Sequence, residues 1–385
     1  MNKTWCKIKE IILQLKGLTT IGIVDILGNT ISAILWFFMA ITLGAEQYGK
    51  IAYFLAIAGI ASAISLVGSE NTLMIYTAKN VKIQSSIYFI SLIASAVSFV
   101  VIFLIFNNLG ISMLVLGYVI FGLAVSEILG RKLYITYSKY VITQKILMVI
   151  LVIGLYYLIG SDGVILGLAL AFFPYVIRIY NEFKDSKIDL SLLKSRFGFI
   201  MNSYILSLSG IAIRSTDKLI IAPMFGFALL GNYQLGIQFL DILQVFPAII
   251  YKYILPYDAI GNSNKKLKRA IVYVSIALTI LMFLLSPVIV PVIFPKFSEA
   301  VEIIQITSFA IIPSSISITY ISKFLGEERS RTVLASSGLY FIVQILAIAF
   351  LGGIFGINGI AASLVLAGTA QTVFLVIANH LIKKK

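Results

Sequence analysis

A row of polar and charged side chains lies inside an apolar stretch that runs from Phe199 to Ala222. An apolar run of about 20 residues is long enough to cross the hydrocarbon core of a membrane as a helix. Each ionisable side chain inside such a helix costs about 2.5–3.5 kcal/mol on insertion scales, so these groups face protein or a wet cavity rather than lipid. Steps of one, three and four residues place the row on one side of the helix: Ser203, Ser207, Gly210, Arg214, Asp217 and Lys218.

The chemistry that this stripe offers is recognition of an anion. Arg214 carries a planar guanidinium that can donate two parallel hydrogen bonds to a phosphate, and Lys218 adds a second positive charge. Asp217 offsets one of the two charges, so the stripe is net positive. We predict that all three residues contact the substrate. A structural alternative stays open, in which Arg214 and Asp217 neutralise each other and hold the helix in its bundle.

Carboxylates in two other apolar stretches are candidates for binding a coupling ion. Asp25 lies in the first stretch, where it forms a weaker polar stripe with Asn29 and Ser32. Asp241 lies near the middle of a later stretch, among aliphatic residues. A carboxylate inside the membrane is costly as an anion, which favours a role in carrying a proton or a cation. We therefore predict ion binding at Asp25 and Asp241, and substrate contact at Asn29 and Ser32.

Composition defines the elements that must position these residues. Of the 385 residues, 60% are hydrophobic and 12% are charged, and the mean hydropathy is +1.02. Soluble domains have about 45–50% apolar and about 25% charged residues. The chain is therefore predicted to be a membrane protein with many spans and no soluble domain. Cys6 and His380 are the single cysteine and the single histidine, so an internal disulfide, histidine-based catalysis and a multi-histidine metal site are excluded. We predict no catalytic residues, no metal and no cofactor, and hence no enzyme.

Hydropathy predicts an all-α membrane protein with twelve transmembrane helices. The similarity of the two halves, described below, predicts that they form two six-helix lobes around a central cavity. The N-terminal lobe is predicted at 1–180, with an amphipathic segment at 1–17. A linker follows at 181–197, and the C-terminal lobe at 198–385. A shift of 182 residues aligns Gly44 with Gly226 and Gly49 with Gly231, which favours a repeat about an axis along the membrane normal.

The distribution of basic residues predicts the orientation of the chain. Of the 30 lysines and arginines, Lys50 and Lys296 fall in predicted outer segments, and Arg214 and Lys218 fall within a span. The others lie in predicted inner segments or at inner helix ends, as the positive-inside rule requires. We therefore place both termini in the cytoplasm. The positive charge is explained by topology, so no nucleic-acid partner is predicted.

One pair of neighbouring charges has a structural rather than a functional interpretation. Glu127 and Arg131 lie four residues apart at a predicted inner helix end. Residues at this spacing are neighbours on a helix surface. We expect them to form a surface ion pair.

Several stretches resemble one protein family. Leu43–Gly49 resembles the turn after the first helix in O-antigen and polysaccharide flippases of the Wzx type. Asp217–Ile221, together with Leu230–Tyr233, is similar to the start of their second lobe, and Ile293–Phe297 to their connection between the ninth and tenth helices. The family is a polysaccharide biosynthesis membrane transporter family of the multidrug/oligosaccharidyl-lipid/polysaccharide exporter superfamily.

The resemblance implies a function in the plasma membrane. It implies that the chain flips an oligosaccharide on a polyprenyl (pyro)phosphate carrier from the cytoplasmic to the outer leaflet, for assembly of a surface polysaccharide or glycan. The implied partners are the lipid-linked oligosaccharide, membrane lipid, and glycan polymerase or ligase machinery. Two alternatives stay open: a multidrug or cation exporter of the same superfamily, and a membrane-embedded glycan polymerase or ligase. The net positive stripe disfavours the first, and outer loops of about four to eight residues disfavour the second.

Overall fold

The computed structural model describes residues 3–185, 188–259, 265–327 and 329–383. The side chains of the predicted amphipathic segment 1–17 lie outside the described residues. Within the described ranges every regular element is a helix. In chain order the helices are α1 (Lys3–Leu43), α2 (Ala45–Leu66), α3 (Ser69–Ala78), α4 (Gln84–Phe106), α5 (Leu109–Gly130), α6 (Tyr134–Ile159), α7 (Ser161–Leu170), α8 (Pro174–Asp185), α9 (Ser191–Lys194), α10 (Phe197–Phe225), α11 (Phe227–Ala259), α12 (Lys265–Ile293), α13 (Ala300–Ser308), α14 (Ile311–Gly326) and α15 (Ser330–Lys383).

Apolar helices of membrane-crossing length confirm the predicted class, an all-α protein with many spans. The described residues contain eleven candidate spans. The last covers 53 residues and is interrupted at Gly356, whose φ of 57° and ψ of −133° are not helical. Another span, Ala300–Gly326, is divided between α13 and α14 just before Pro313, which has no N–H to donate to the carbonyl four residues earlier. The count of twelve stays a prediction.

Packing divides the chain into two units. Unit 1 comprises Met1–Phe38 and Phe54–Ser215, and unit 2 comprises Met39–Tyr53 and Thr216–Lys385. The end of α1 and the start of α2 thus belong to unit 2, and the boundary in the second half falls inside α10. The lobes proposed from sequence, 1–180 and 198–385, stay a prediction.

Two turns match at the spacing of the predicted repeat. The single residue Gly44 separates α1 from α2, and the single residue Gly226, 182 positions later, separates α10 from α11. Both glycines have positive φ, 79° and 87°, a region that residues with a Cβ rarely occupy. The shift of 182 residues between the two turns and the similar φ values of their glycines therefore support the predicted repeat.

A second matched pair brings α2 and α11 together inside unit 2. A Cβ at Gly49 would lie 1.9 Å from the carbonyl oxygen of Phe227, and one at Gly231 would lie 1.8 Å from that of Ala45. The contact is reciprocal, because the 182-residue shift also carries Ala45 onto Phe227. Small residues let membrane helices approach backbone to backbone in this way.

A closed ion network, the Glu127 cluster, joins α5 to α8 inside unit 1. It consists of Glu127, Arg131, Arg178 and Glu182. Arg178 donates from Nε and Nη2 to the two carboxylate oxygens of Glu127, both at 2.8 Å. Arg131 forms ion pairs with both glutamates. The expected ion pair of Glu127 and Arg131 is confirmed. Its expected position at the surface is wrong for Glu127, whose side chain is 0% exposed, because α8 packs against it and supplies a second arginine and a second acid.

Candidate functional site

The charged stripe of α10 contains a buried carboxylate that is held from two sides. Asp217 is 5% exposed. The hydroxyl of Tyr233, a buried residue of α11, donates to Asp217 Oδ2 at 2.9 Å. Lys218 approaches Oδ1 with its side-chain Nζ at 3.2 Å and donates its backbone N–H at 2.8 Å. We call Asp217, Lys218 and Tyr233 the Asp217 cluster.

The charged residues of the stripe differ in their surroundings. Asp217 and Lys218 are adjacent in sequence and form an ion pair that is formally neutral. The Arg214 side chain is exposed. Arg214 belongs to unit 1, whereas Asp217 and Lys218 belong to unit 2. The predicted substrate contacts of all three residues stay predictions.

The polar stripe of α1 meets α6 through a second set of contacts. Tyr137 donates its hydroxyl to Asp25 Oδ1 at 2.6 Å. About two turns further along, Lys145 donates from Nζ to the hydroxyl oxygen of Ser32 at 2.8 Å. All four residues belong to unit 1, and we call them the Asp25 cluster. Two of the predicted site residues, Asp25 and Ser32, thus belong to one cluster of hydrogen-bonded side chains.

Tyr137 and Lys145 are the residues of this cluster that the sequence did not single out, and Lys145 is the charged one. It counts among the basic residues at inner helix ends, because hydropathy alone places the start of its span close to it. The structure begins α6 at Tyr134, so Lys145 lies eleven residues along the helix, about 16 Å at 1.5 Å per residue. The sequence did hold a signal for this position. Lys145 lies four residues after Val141 and eight after Tyr137, both of which are buried. This spacing places Lys145 on the packed face of α6.

The remaining predicted residues are exposed. Asn29 lies on α1 between Asp25 and Ser32, with its side chain turned away from the packed face. Asp241 is exposed on α11 and lies within electrostatic range of the buried Tyr48 and Tyr233 of the same unit. Tyr48 itself donates to the side-chain oxygen of Gln238 at 3.2 Å. Asp25 and Asp241 lie in different units, so their shared role in ion coupling stays a prediction.

Across the described ranges there is no group of three or more histidine, cysteine, aspartate or glutamate residues that could hold a metal ion. The acids found together, Glu127 and Glu182, are occupied by arginines. The chemistry that these groups offer is binding of charge and hydrogen bonding.

Comparison with known proteins finds no matching family model and no matching curated protein. The fold is matched by solved structures of membrane transporters. The lipid II flippase MurJ, in an inward closed conformation, is 14% identical, with a TM-score of 0.73 over 93% of this chain and 87% of that chain. An inward-facing multidrug resistance MATE family transporter of the MOP superfamily is 13% identical, with a TM-score of 0.65 over 93% of this chain and 94% of that chain. The eukaryotic MATE transporter AtDTX14 is 16% identical, with a TM-score of 0.59 over 96% of each chain.

These matches define the fold. The chain is a multi-pass membrane protein whose helices adopt the fold found in lipid flippases and multidrug transporters of this kind. Identities of 12–16% among the structures compared show the shared fold alone. Neither the transported molecule nor membership of the Wzx-type family follows from them.

Proposed function

We propose that the chain is a transporter that flips a polyprenyl-(pyro)phosphate-linked oligosaccharide from the cytoplasmic to the outer leaflet of the cell membrane, for surface polysaccharide or glycan assembly. It is not an enzyme in this proposal. Its partners are the lipid-linked oligosaccharide, membrane lipid, and the polymerase or ligase machinery that uses the product. Both termini lie in the cytoplasm.

The observation that carries this proposal is the exposed Arg214 within an apolar helix. A diphosphate crossing the hydrocarbon layer needs cationic partners, and a guanidinium matches the geometry of phosphate oxygens. The stripe is net positive, because Asp217, which pairs with Lys218, offsets one of its two cations. The fold likeness to a structure described as a lipid II flippase, with a TM-score of 0.73, supports a lipid substrate.

A multidrug or cation exporter is the second candidate function. The MATE transporters named above cover 93–96% of this chain in the comparison, and such a protein would use carboxylates to bind cationic compounds. The candidate carboxylates are Asp25, Asp217 and Asp241. In our proposal Asp25 and Asp241 instead bind a coupling ion, and the net positive stripe selects an anionic head group.

Transport by purified protein in vesicles tests the proposal. The substrate is a polyprenyl diphosphate that carries a short oligosaccharide, and the readout is oxidation of the sugar by external, membrane-impermeant periodate. Arg214→Ala should slow flipping about 10–100-fold, the value of a charge-assisted hydrogen bond. Arg214→Lys should restore part of the rate, because an ammonium keeps the charge and lacks the planar fork.

Three controls separate the candidates. Arg331→Ala removes an exposed arginine at the start of α15 and should leave flipping unchanged. The double variant Arg214→Ala/Asp217→Asn should stay as slow as Arg214→Ala; full activity would mean that Arg214 serves to balance Asp217. Efflux of a cationic dye by the wild type, without flipping of the lipid-linked sugar, would replace the proposal by the exporter alternative.

The proposed orientation is tested by labelling. In a Cys6→Ser background, Gln47→Cys and Lys194→Cys introduce thiols at exposed positions on opposite predicted sides. A membrane-impermeant maleimide added to whole cells should label the first and not the second. Labelling of both from outside would contradict the assignment of sides.

A further inference from the structure

We propose that Lys145 binds a phosphoryl group of the transported lipid, and that Ser32 positions its ammonium to do so. This inference rests on the proposed function, because it names a second group of unit 1 that recognises the same head group. Lys145 would contact the ligand directly, whereas Ser32 would act through Lys145.

The first argument is that the charge of Lys145 has no internal balance. A lysine this far along a membrane helix is costly unless something compensates for its charge. Among the described residues, Lys145 has no carboxylate oxygen within 4 Å of its ammonium nitrogen. Its contact is the neutral hydroxyl of Ser32 at 2.8 Å. A neutral acceptor orients the ammonium but leaves its charge for another group to neutralise.

The second argument is that the ammonium is held in place. The hydroxyl of Ser32 donates its proton to the carbonyl oxygen of Gly28 at 2.9 Å, so its oxygen is left to accept from Lys145. The aliphatic part of Lys145 lies along α1, with Cε 3.5 Å from the position that a Cβ on Gly28 would take. An ammonium has three protons to donate, and Ser32 accepts one. The other two are left to be donated to a ligand that reaches the partly exposed side chain.

The third argument concerns Asp25, the acid that could have balanced Lys145. It lies seven residues before Ser32 on α1, about 10 Å along the helix axis, and it accepts the hydroxyl of Tyr137 at 2.6 Å. The cluster thus holds its carboxylate and its ammonium apart, each against a neutral partner from the other helix. A fixed, partly exposed ammonium beside a hydroxyl oxygen suits an anionic oxygen ligand, and phosphate is the anion of the proposed substrate.

Binding to the full-length purified protein in detergent tests this inference. The probes are a polyprenyl diphosphate, the corresponding uncharged polyprenol, and inorganic pyrophosphate, with affinity read from ligand-dependent thermal stabilisation. Lys145→Gln should weaken polyprenyl diphosphate binding about tenfold, the lower range for a hydrogen bond from a charged group, and should leave polyprenol binding unchanged. Lys139→Gln, a change of an exposed lysine on the same helix, is the matched control and should bind like the wild type.

Ser32 variants keep the inference testable if Lys145→Gln does not fold. Ser32→Ala should weaken diphosphate binding about threefold, because the ammonium loses its anchor, and Ser32→Thr should restore it, since the hydroxyl remains. Restoration by threonine distinguishes a positioning role from loss of packing. Unchanged diphosphate affinity in Lys145→Gln, or in Ser32→Ala where the former does not fold, would overturn the proposal.

The outcomes also separate this inference from the proposed function. If Lys145→Gln weakens binding of inorganic pyrophosphate but not of polyprenyl diphosphate, the assignment of Lys145 to the transported lipid is overturned. If the wild type flips the lipid-linked sugar and Lys145→Gln flips it equally well, while Arg214→Ala does not, this inference fails and the proposed function stands. If the wild type exports a cationic dye and does not flip the sugar, the proposed function fails, whatever the binding result.

Discussion

The Glu127 cluster and the Asp25 cluster both join two helices of unit 1, but they treat their charges in opposite ways. In the Glu127 cluster every charge meets an opposite charge: two arginines and two glutamates form a network of ion pairs. In the Asp25 cluster each charge meets a hydroxyl, as Asp25 accepts from Tyr137 and Lys145 donates to Ser32. The first is complete by itself, whereas the second is left with charges that a ligand or an ion can neutralise.

The difference separates a structural lock from a candidate binding site. A closed ion network around buried glutamates has no further group to recruit, and removing one arginine leaves a carboxylate charge uncompensated. A hydroxyl partner orients a charge without neutralising it. The Asp217 cluster combines both arrangements, since Asp217 has an ion pair with Lys218 and a hydrogen bond from Tyr233. Pairing pattern, rather than burial, distinguishes these sites.

The largest expected effect on stability is in the Glu127 cluster. Arg178→Gln should lower the free energy of unfolding by about 3–5 kcal/mol, because Glu127 stays buried and loses two of its hydrogen bonds. Reversible unfolding in mixed micelles measures the change, with Arg331→Gln as the exposed control. Lys145→Gln should lower the free energy of unfolding far less in the same assay. Equal losses in the two variants would contradict the comparison and make the Asp25 cluster a structural lock as well.

A contact between uncharged residues should have an effect of intermediate size on the free energy of unfolding. Gly49→Ala should lower the free energy of unfolding by about 1–3 kcal/mol, the range for overpacking, because its Cβ would overlap the carbonyl oxygen of Phe227 at 1.9 Å. Gly338→Ala is the matched control, since a Cβ there meets nothing within 4 Å, and it should be neutral or stabilising. A neutral Gly49→Ala would show that α2 and α11 do not need this close approach.

The smallest effects should come from the two tyrosines that donate to aspartates. Tyr137→Phe and Tyr233→Phe each remove one hydroxyl and should cost about 0.6 kcal/mol, the mean for hydrogen bonds inside membrane proteins. The same unfolding assay measures both. A loss near that of Arg178→Gln in either variant would mean that an aspartate held by a hydroxyl is as structural as the closed ion network.

The sequence alone determined the class of the molecule, the positions of most apolar helices and the charged stripe of α10. These follow from hydropathy and helical spacing, which are properties of residues near one another in the chain. A repeat was also predicted from a constant shift of 182 residues, and the positive φ values at Gly44 and Gly226 agree with that prediction.

Only the tertiary structure decided which side chains meet. Ser32 and Lys145 are 113 residues apart, and their contact depends on the rotation of α1 and α6 about their axes, which hydropathy does not define. The same holds for Glu127, whose second arginine comes from a helix 51 residues later. Arg131 and Lys145 both count as topology signals in the sequence, yet Arg131 belongs to a closed ion network and Lys145 donates to a neutral hydroxyl. The sign and position of a charge are local properties, but its compensation depends on helices that the chain brings together only by folding.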